Sequence, residues 1–371
     1  MITNEELILR CIQLAQKGKG SVSPNPLVGC VIVKNNGIIG EGYHSKYGDA
    51  HAEVNAIRSS AESVEGADVY VNLEPCNFFG KTPPCTDLLI EKDVRKVFVA
   101  MLDPNPRVNG SGVKKLREAG IEVEVGIMEH QARKLNESFI KFITKKIPFA
   151  ALKVAQSFDG KIALSGRGKG RKNGKSKYIT SKESLTKVHE LRAEYDAVLV
   201  GAGTINADDP ELTVRLVGGR SPIKIVIDGN LSSPAESKVF GSGRTILFHS
   251  SRMDKGAKKD LAKITALKER GVELFSMKGD PRGIIGLKDI LQKLAALNIA
   301  SVLVEGGASV FSQFIESKLA DKLHLFIAPK ILGCGLSFAD DLELKDLSKA
   351  PVLKEVEISQ LGSDCMVTGY F

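Results

Sequence analysis

No apolar run in this 371-residue sequence approaches the roughly 18 residues that a membrane-crossing helix needs, so no such helix is expected. The N-terminal stretch, with Glu5, Glu6 and Arg10 in a polar helical pattern, lacks the apolar core of a signal peptide. Cysteine is sparse, six residues scattered along the chain, and the two that fall in a motif have a better use than a disulfide. Together these absences point to a reducing cytoplasm. No internal repeat is visible. What remains is an ordinary composition, 43% hydrophobic and 26% charged, with apolar residues enough for more than one core. At this length two domains are the default.

The net charge of +8 invites a nucleic-acid reading. Much of the excess sits in one glycine-interleaved stretch, Arg167, Lys169, Arg171, Lys172, Lys175 and Lys177. Such a stretch suits a solvated loop, a phosphate-contacting loop or a nucleic-acid patch. No aromatic residues alternate with the lysines to stack on bases, so the solvated loop leads and no nucleic-acid partner is expected.

What the chain does hold is His51-Ala52-Glu53, then Glu74-Pro75-Cys76, then Pro83-Pro84-Cys85. One imidazole and two thiols make a three-ligand zinc site with an open fourth position, the arrangement of a catalytic ion. Water held there drops from a pKa near 16 to about 7. Glu53 then stands ready to take its proton and pass it to a leaving amine, the chemistry of a zinc-dependent nucleobase deaminase. The shortest form of that pattern has two residues between its cysteines, whereas Asn77 to Pro84 intervene here. Two plainer readings stand beside it: a buried histidine with two core thiols, and a closed structural zinc with His44 as the nearest fourth ligand.

Apolar spacing predicts a helix over 4–17, and Asn35-Asn36-Gly37 between two apolar runs predicts a hairpin with a type I′ turn. A strand over Asp68 to Leu73 leads toward Cys76, where a helix N-terminus is expected. A helix from His51 puts His51 and Glu53 in its first turn, and Cys85 opens another behind two prolines. One long helix is expected over Glu129 to Lys145, and Lys145-Lys146-Ile147-Pro148 is the best boundary. Beyond it, strands at 197–200, 223–227, 245–248 and 301–304 alternate with helical patterns, and strand-like segments close the chain. The alternation argues α/β, with a sheet covered by helices. Two glycine turns follow apolar strands, Gly201-Ala202-Gly203-Thr204 and Gly306-Gly307-Ala308-Ser309. Each suits either a phosphate-bearing ligand or an empty tight turn.

Read as a whole, the sequence resembles the bifunctional pyrimidine deaminase–reductase family of riboflavin biosynthesis. The resemblance rests on Pro24-Asn25-Pro26-Leu27-Val28-Gly29, the three ligand motifs with Thr82-Pro83-Pro84 before Cys85, and Asp103-Pro104-Asn105-Pro106. It continues through Ser157-Phe158-Asp159-Gly160-Lys161, Thr204-Ile205-Asn206-Ala207-Asp208-Asp209-Pro210, Leu212-Thr213-Val214-Arg215 and Val304-Glu305-Gly306-Gly307. It implies a cytidine-deaminase-like three-layer α/β/α domain over 1–146 and a dihydrofolate-reductase-like α/β domain over 147–371. It implies two reactions on a small phosphorylated pyrimidine. A diamino-pyrimidinone carrying a ribosylamino 5′-phosphate loses ammonia to become a uracil, and NADPH then reduces its ribosyl group to ribityl. By the same resemblance His51, Cys76 and Cys85 hold Zn2+ and Glu53 shuttles protons. Ala155, Tyr178, Thr204, Asp208, Gly229, Gly307, Ala308 and Ser309 contact the cofactor, and Asn25, Ser176, Arg192, Leu212, Arg215 and Glu305 contact substrate. A homo-oligomer is also expected.

The chain departs from the family pattern at Phe78, where histidine is common, and at Tyr178, where tryptophan is; the basic stretch before Ser176 looks like an insertion. Cys11 and Cys30 are expected to be inert packing residues. Cys334 and Cys365 have no motif partner, and His130, His189, His249 and His324 are given no role. Two other readings remain. One is a nucleoside or nucleic-acid deaminase with a non-catalytic nucleotide-binding C-terminal domain, consuming no NADPH. The other is a zinc-stabilised binding protein.

Overall fold

The computed structural model describes residues 2–80, 82–164 and 178–371, so the basic glycine-rich stretch and Ser176 lie outside the described residues. The chain divides into two compact units, Met1–Ile147 and Pro148–Phe371.

The first unit holds strands β1 (Gly29–Lys34), β2 (Gly37–Tyr43), β3 (Asp68–Val71), β4 (Lys96–Val99) and β5 (Glu122–Val125) in one sheet, ordered β2-β1-β3-β4-β5. Pairing is antiparallel from β2 through β1 to β3 and parallel from β3 to β5. Its helices are α1 (Asn4–Gln16), α2 (Ala52–Arg58), α3 (Cys85–Glu91), α4 (Ser111–Glu118), α5 (Glu129–Leu135) and α6 (Glu137–Lys145). One core packs Ala52, Ala56, Leu89, Val113 and Leu116 from α2, α3 and α4 against Ile32, Val69, Val71, Val97 and Val99. A second packs Leu7, Ile8, Cys11 and Ala132 from α1 and α5 against Val31, Tyr70 and Phe98, the alternate residues of the same strands. Strand side chains alternate between faces, so two separate cores on one sheet mean three layers, α/β/α.

The hairpin forms as expected, with a shift of one position. Lys34 pairs with Gly37, and Asn35 and Asn36 are the turn's central residues with φ of 51° and 64°. Two positive φ values are what a type I′ turn requires. The long helix expected over 129–145 is broken. Asn136 sits at φ −103°, ψ 19° between α5 and α6. Its side chain accepts from Leu27 N–H at 2.8 Å and donates to Leu27 O at 3.0 Å, a backbone-like pairing that ties the break to the segment before β1. No helix begins at Cys76 either: Glu74 to Asn77 run as irregular chain after β3.

The second unit centres on a nine-stranded sheet. Its strands are β6 (Phe149–Ser157), β8 (Ala197–Gly201), β9 (Ile223–Ile227), β10 (Thr245–Ser250), β11 (Glu273–Met277), β12 (Ser301–Val304), β13 (Lys322–Ala328), β15 (Lys354–Leu361) and β16 (Asp364–Tyr370); β7 (Lys161–Leu164) and β14 (Gly335–Ser337) pair separately. The order is β11-β10-β9-β8-β12-β6-β13-β16-β15, parallel up to β13 and antiparallel beyond. Helices α7 (Lys182–Glu194), α8 (Ala202–Asp208), α9 (Lys258–Glu269), α10 (Leu287–Ala296) and α11 (Ala308–Glu316) connect the strands. From α7, Val188 and Leu191 join Phe149, Ala151, Leu303 and Phe326 in a core. β8 and β12 are neighbours in the sheet, which sets the two glycine turns at their C-terminal ends side by side. Ligands of open α/β sheets gather at that end of parallel strands.

Candidate active sites

In the N-terminal unit His51 is the N-cap of α2 and Cys85 the first residue of α3, while Cys76 comes from the irregular chain after β3. These elements bring one donor atom from each residue within 4.8 Å of the others. His51 turns Nδ1 toward the sulfurs, 3.3 Å from Cys85 Sγ and 3.5 Å from Cys76 Sγ. Its other nitrogen, Nε2, lies 3.3 Å from Thr82 Oγ1, a contact that orients the ring. The Cys85 N–H donates to Cys76 Sγ at 3.4 Å. A hydrogen bond from Cys85, opposed by burial and reinforced by His51, brings Cys76 down to about 4, and that same bond with burial pushes Cys85 up. A soft divalent ion among two sulfurs and an imidazole would hold both as thiolates, so the donor set fits zinc.

Glu53, in the first turn of α2, is buried, and that burial raises its pKa. A raised carboxyl pKa suits a group that must carry a proton at neutral pH. His44 is not a fourth ligand: its Nδ1 lies 3.1 Å from Ala50 O and its Nε2 3.2 Å from Asn25 Nδ2, which commits both ring nitrogens. Asn25 thus stands next to a histidine whose ring centroid is 5.5 Å from that of His51. The irregular chain bearing Cys76 is held by Glu74, whose buried carboxylate accepts from four backbone N–H groups: Asp103 and Gly110 at Oε2, Gly112 and Val113 at Oε1, all within 2.8–3.1 Å. Gly112 has no room for a side chain, since a Cβ there would fall 2.2 Å from Pro75 O.

In the C-terminal unit the two glycine turns meet. A Cβ on Gly307 would touch Thr204 Oγ1 at 3.5 Å, and one on Gly203 would meet nothing within 4 Å. These positions leave room for a ligand. Gly201 and Gly306 are glycines for another reason, because Val310 of α11 packs against both. Gly229 likewise has a packing reason: a Cβ there would lie 1.8 Å from Gly283 O. Thr204 and Asp208 lie on α8, Ala308 and Ser309 open α11, Ala155 lies on β6 opposite Phe326, and Tyr178 is exposed. The crevice of open glycines at adjoining strand ends fits the phosphate-bearing part of a dinucleotide.

Beside it stands a buried ionic cluster. Arg192 of α7 grips Glu305 bidentately, Nε to Oε1 at 2.6 Å and Nη2 to Oε2 at 2.9 Å, and Lys153 Nζ lies 3.6 Å from Oε2. Burial alone would raise the Glu305 carboxyl, but Arg192 and Lys153 together bring it down to about 2. Arg192 Nη1 also donates to Thr213 O at 3.2 Å, so its fork serves the protein and is not a surface salt bridge. Leu212 is buried with φ 58°. The Arg215 side chain, nearly half exposed, reaches Glu211 and Thr213 Oγ1 at 3.3 Å each. Lys153 was missed in the sequence, although one lysine inside the apolar run of β6 was a visible signal.

The description "Cytidine and deoxycytidylate deaminase zinc-binding region" matches residues 1–101, and "RibD C-terminal domain" matches residues 148–367. The chain is 44% identical over 359 residues to the riboflavin biosynthesis protein RibD of Aquifex aeolicus, covering 96% of this chain and 95% of that one. It belongs to the RibD family. A diaminohydroxyphosphoribosylaminopyrimidine deaminase/5-amino-6-(5-phosphoribosylamino)uracil reductase from Thermotoga maritima matches with a TM-score of 0.84 at 41% identity, over 99% of this chain and 98% of that one. RibD of Acinetobacter baumannii gives 0.85 at 34% identity with the same coverage. As a RibD protein the chain is a deaminase and a reductase, cytidine-deaminase-like in its first unit and dihydrofolate-reductase-like in its second. Both units match RibD relatives, which favours two activities over a deaminase with a non-catalytic second domain.

Proposed function

We propose that the chain deaminates 2,5-diamino-6-(5-phosphoribosylamino)pyrimidin-4-one to the corresponding uracil and then reduces the ribosyl group to ribityl with NADPH. Residues 1–146 carry the first step and 147–371 the second. The observation that carries the deaminase half is the convergence of His51, Cys76 and Cys85 beside a buried carboxylate. These three residues would hold the zinc, which when bound would lower the pKa of a water to about 7. Thr82 fixes the His51 ring through Nε2. Glu53 takes a proton from the attacking water and delivers it to the leaving amine, so that water and the ring amine become a ring carbonyl and ammonia. Asn25, oriented by His44, faces the pyrimidine.

In the reductase half Thr204, Asp208, Gly229 and Gly307 to Ser309 line the cofactor crevice with Ala155 and Tyr178. NADPH bound there would supply the hydride for reduction at the opened ribosyl C1. Glu305, Arg192 and Leu212 shape the substrate side. The exposed guanidinium of Arg215 meets the 5′-phosphate, whose oxygens match its planar fork. The small phosphorylated pyrimidine, and no nucleic acid, is the partner. No helix among the described residues is long and apolar enough to cross a membrane, and a pair of reduced thiols at the metal centre suits the cytoplasm. A homo-oligomer is supported by β15, an edge strand that leaves Val356 and Ile358 exposed to 50% and 71%. The test is incubation of the zinc-loaded protein with the diamino-pyrimidinone phosphate. Ammonia should appear without NADPH, and NADPH oxidation should follow only after it. Ammonia without any NADPH oxidation would remove the reductase half of the proposal.

A further inference from the structure

His189, to which the sequence assigned no role, lies on α7 three residues before Arg192, so both face the same way along the helix. Both reach the segment Leu212 to Arg215. Arg192 donates to Thr213 O at 3.2 Å, and His189 Nδ1 accepts the backbone N–H of Arg215 at 3.0 Å. An N–H donor at that distance requires a lone pair on Nδ1, which puts the ring proton on Nε2. His189 is only 4% exposed, and Leu212, left-handed and buried, closes the other end of the strap. The backbone of Arg215 is therefore pinned while its side chain remains nearly half exposed.

We propose that His189 is a positioning residue of the reductase: its Nδ1 fixes the main chain at Arg215 and so aims that guanidinium at the substrate's 5′-phosphate. The proposal rests on the reading of Arg215 as the phosphate contact. Burial, with Arg192 and Arg215 nearby, holds His189 down to about 4, which keeps the acceptor available at neutral pH. A leucine would fill the space without accepting. An asparagine would set Oδ1 where Nδ1 now lies.

The test is steady-state reduction of the ribosylaminouracil 5′-phosphate by the zinc-loaded full chain. His189→Leu should raise the KM for this substrate about tenfold, about 1.4 kcal/mol, with kcat and the KM for NADPH within about twofold. His189→Asn should bring that KM back to within about threefold of wild type. Arg215→Gln should raise it at least as far as His189→Leu. If His189→Leu does not fold, judged by loss of the thermal shift with NADPH, His189→Ser replaces it with the same expectation, its hydroxyl being too short to reach. An unchanged KM in Arg215→Gln would refute the reading of Arg215. A raised KM there with an unchanged KM in His189→Leu would overturn the role of His189 alone. A rise in His189→Leu that asparagine does not reverse would also overturn it, because packing and not the acceptor would then be what matters.

Discussion

Four backbone N–H groups converge on the Glu74 carboxylate, two to each oxygen, and Cys76 lies two residues further along the same irregular chain. The position of the Cys76 sulfur in the three-residue donor set thus depends on a carboxylate outside that set. Glu74→Gln turns one oxygen into an NH2 group facing two N–H donors, leaving buried donors unpaired at about 1–3 kcal/mol each. The expected result is a stability loss of about 2 kcal/mol or more by denaturant titration, with faster release of zinc to a chelator. Unchanged stability would show that the loop is held by other contacts. The donor set, Glu53 and the glycine turns were legible in the sequence because their chemistry restricts residue type and spacing. Thr82, Lys153 and His189 were given no such role, because each acts through a partner distant in sequence, and one sequence carries no record of such contacts; His44, a candidate fourth ligand, instead contacts Asn25 and Ala50.

Among the elements, boundaries failed where a side chain replaced a backbone partner. Periodicity carried one helix through Asn136, yet the Asn136 amide makes with Leu27 the pair of bonds a neighbouring strand would make, and α5 ends there. The expected helix at Cys76 failed because Glu74 gathers donors from the chain around α4, leaving Cys76 in irregular backbone. The hairpin was readable from its turn chemistry alone. Two buried histidines of the second unit contribute to its pH response. His324 on β13, close to Tyr195 and Thr368, is held down to about 3 by burial with Lys322 and Lys187, and His189 to about 4. Unfolded histidine titrates near 6.5. Between about pH 6.5 and 4 the unfolded chain therefore binds protons that the folded unit refuses. Stability is full above 6.5 and falls with pH, by about 2 kcal/mol per histidine from pH 7 to 5. Denaturant midpoints at the two pH values check this, and His324→Gln should remove about half of the loss. A midpoint that rises on acidification would contradict the assignment.

At the scale of the whole molecule the chain joins two units whose chemistry is consecutive. The uracil released by the first is what the second reduces, and each unit carries its own core. The α/β class and the break near residue 147 followed from alternating patterns and one basic-proline boundary. The missed strand β11 and the small pair β7–β14 are short and weakly patterned, and their partners supply the order. The long spacing between Cys76 and Cys85 is spanned by a segment that includes Thr82, which reaches back to His51.

The proposal for the deaminase half turns on Glu53 moving a proton beside a zinc that His51, Cys76 and Cys85 would hold. The most direct measurement is zinc content and ammonia release on one preparation of Glu53→Gln beside wild type. The account predicts zinc at the wild-type level with deamination slowed by ~10²–10⁴-fold or more. Ammonia release at the wild-type rate from the zinc-loaded variant, or a wild-type protein that deaminates without zinc, would contradict it.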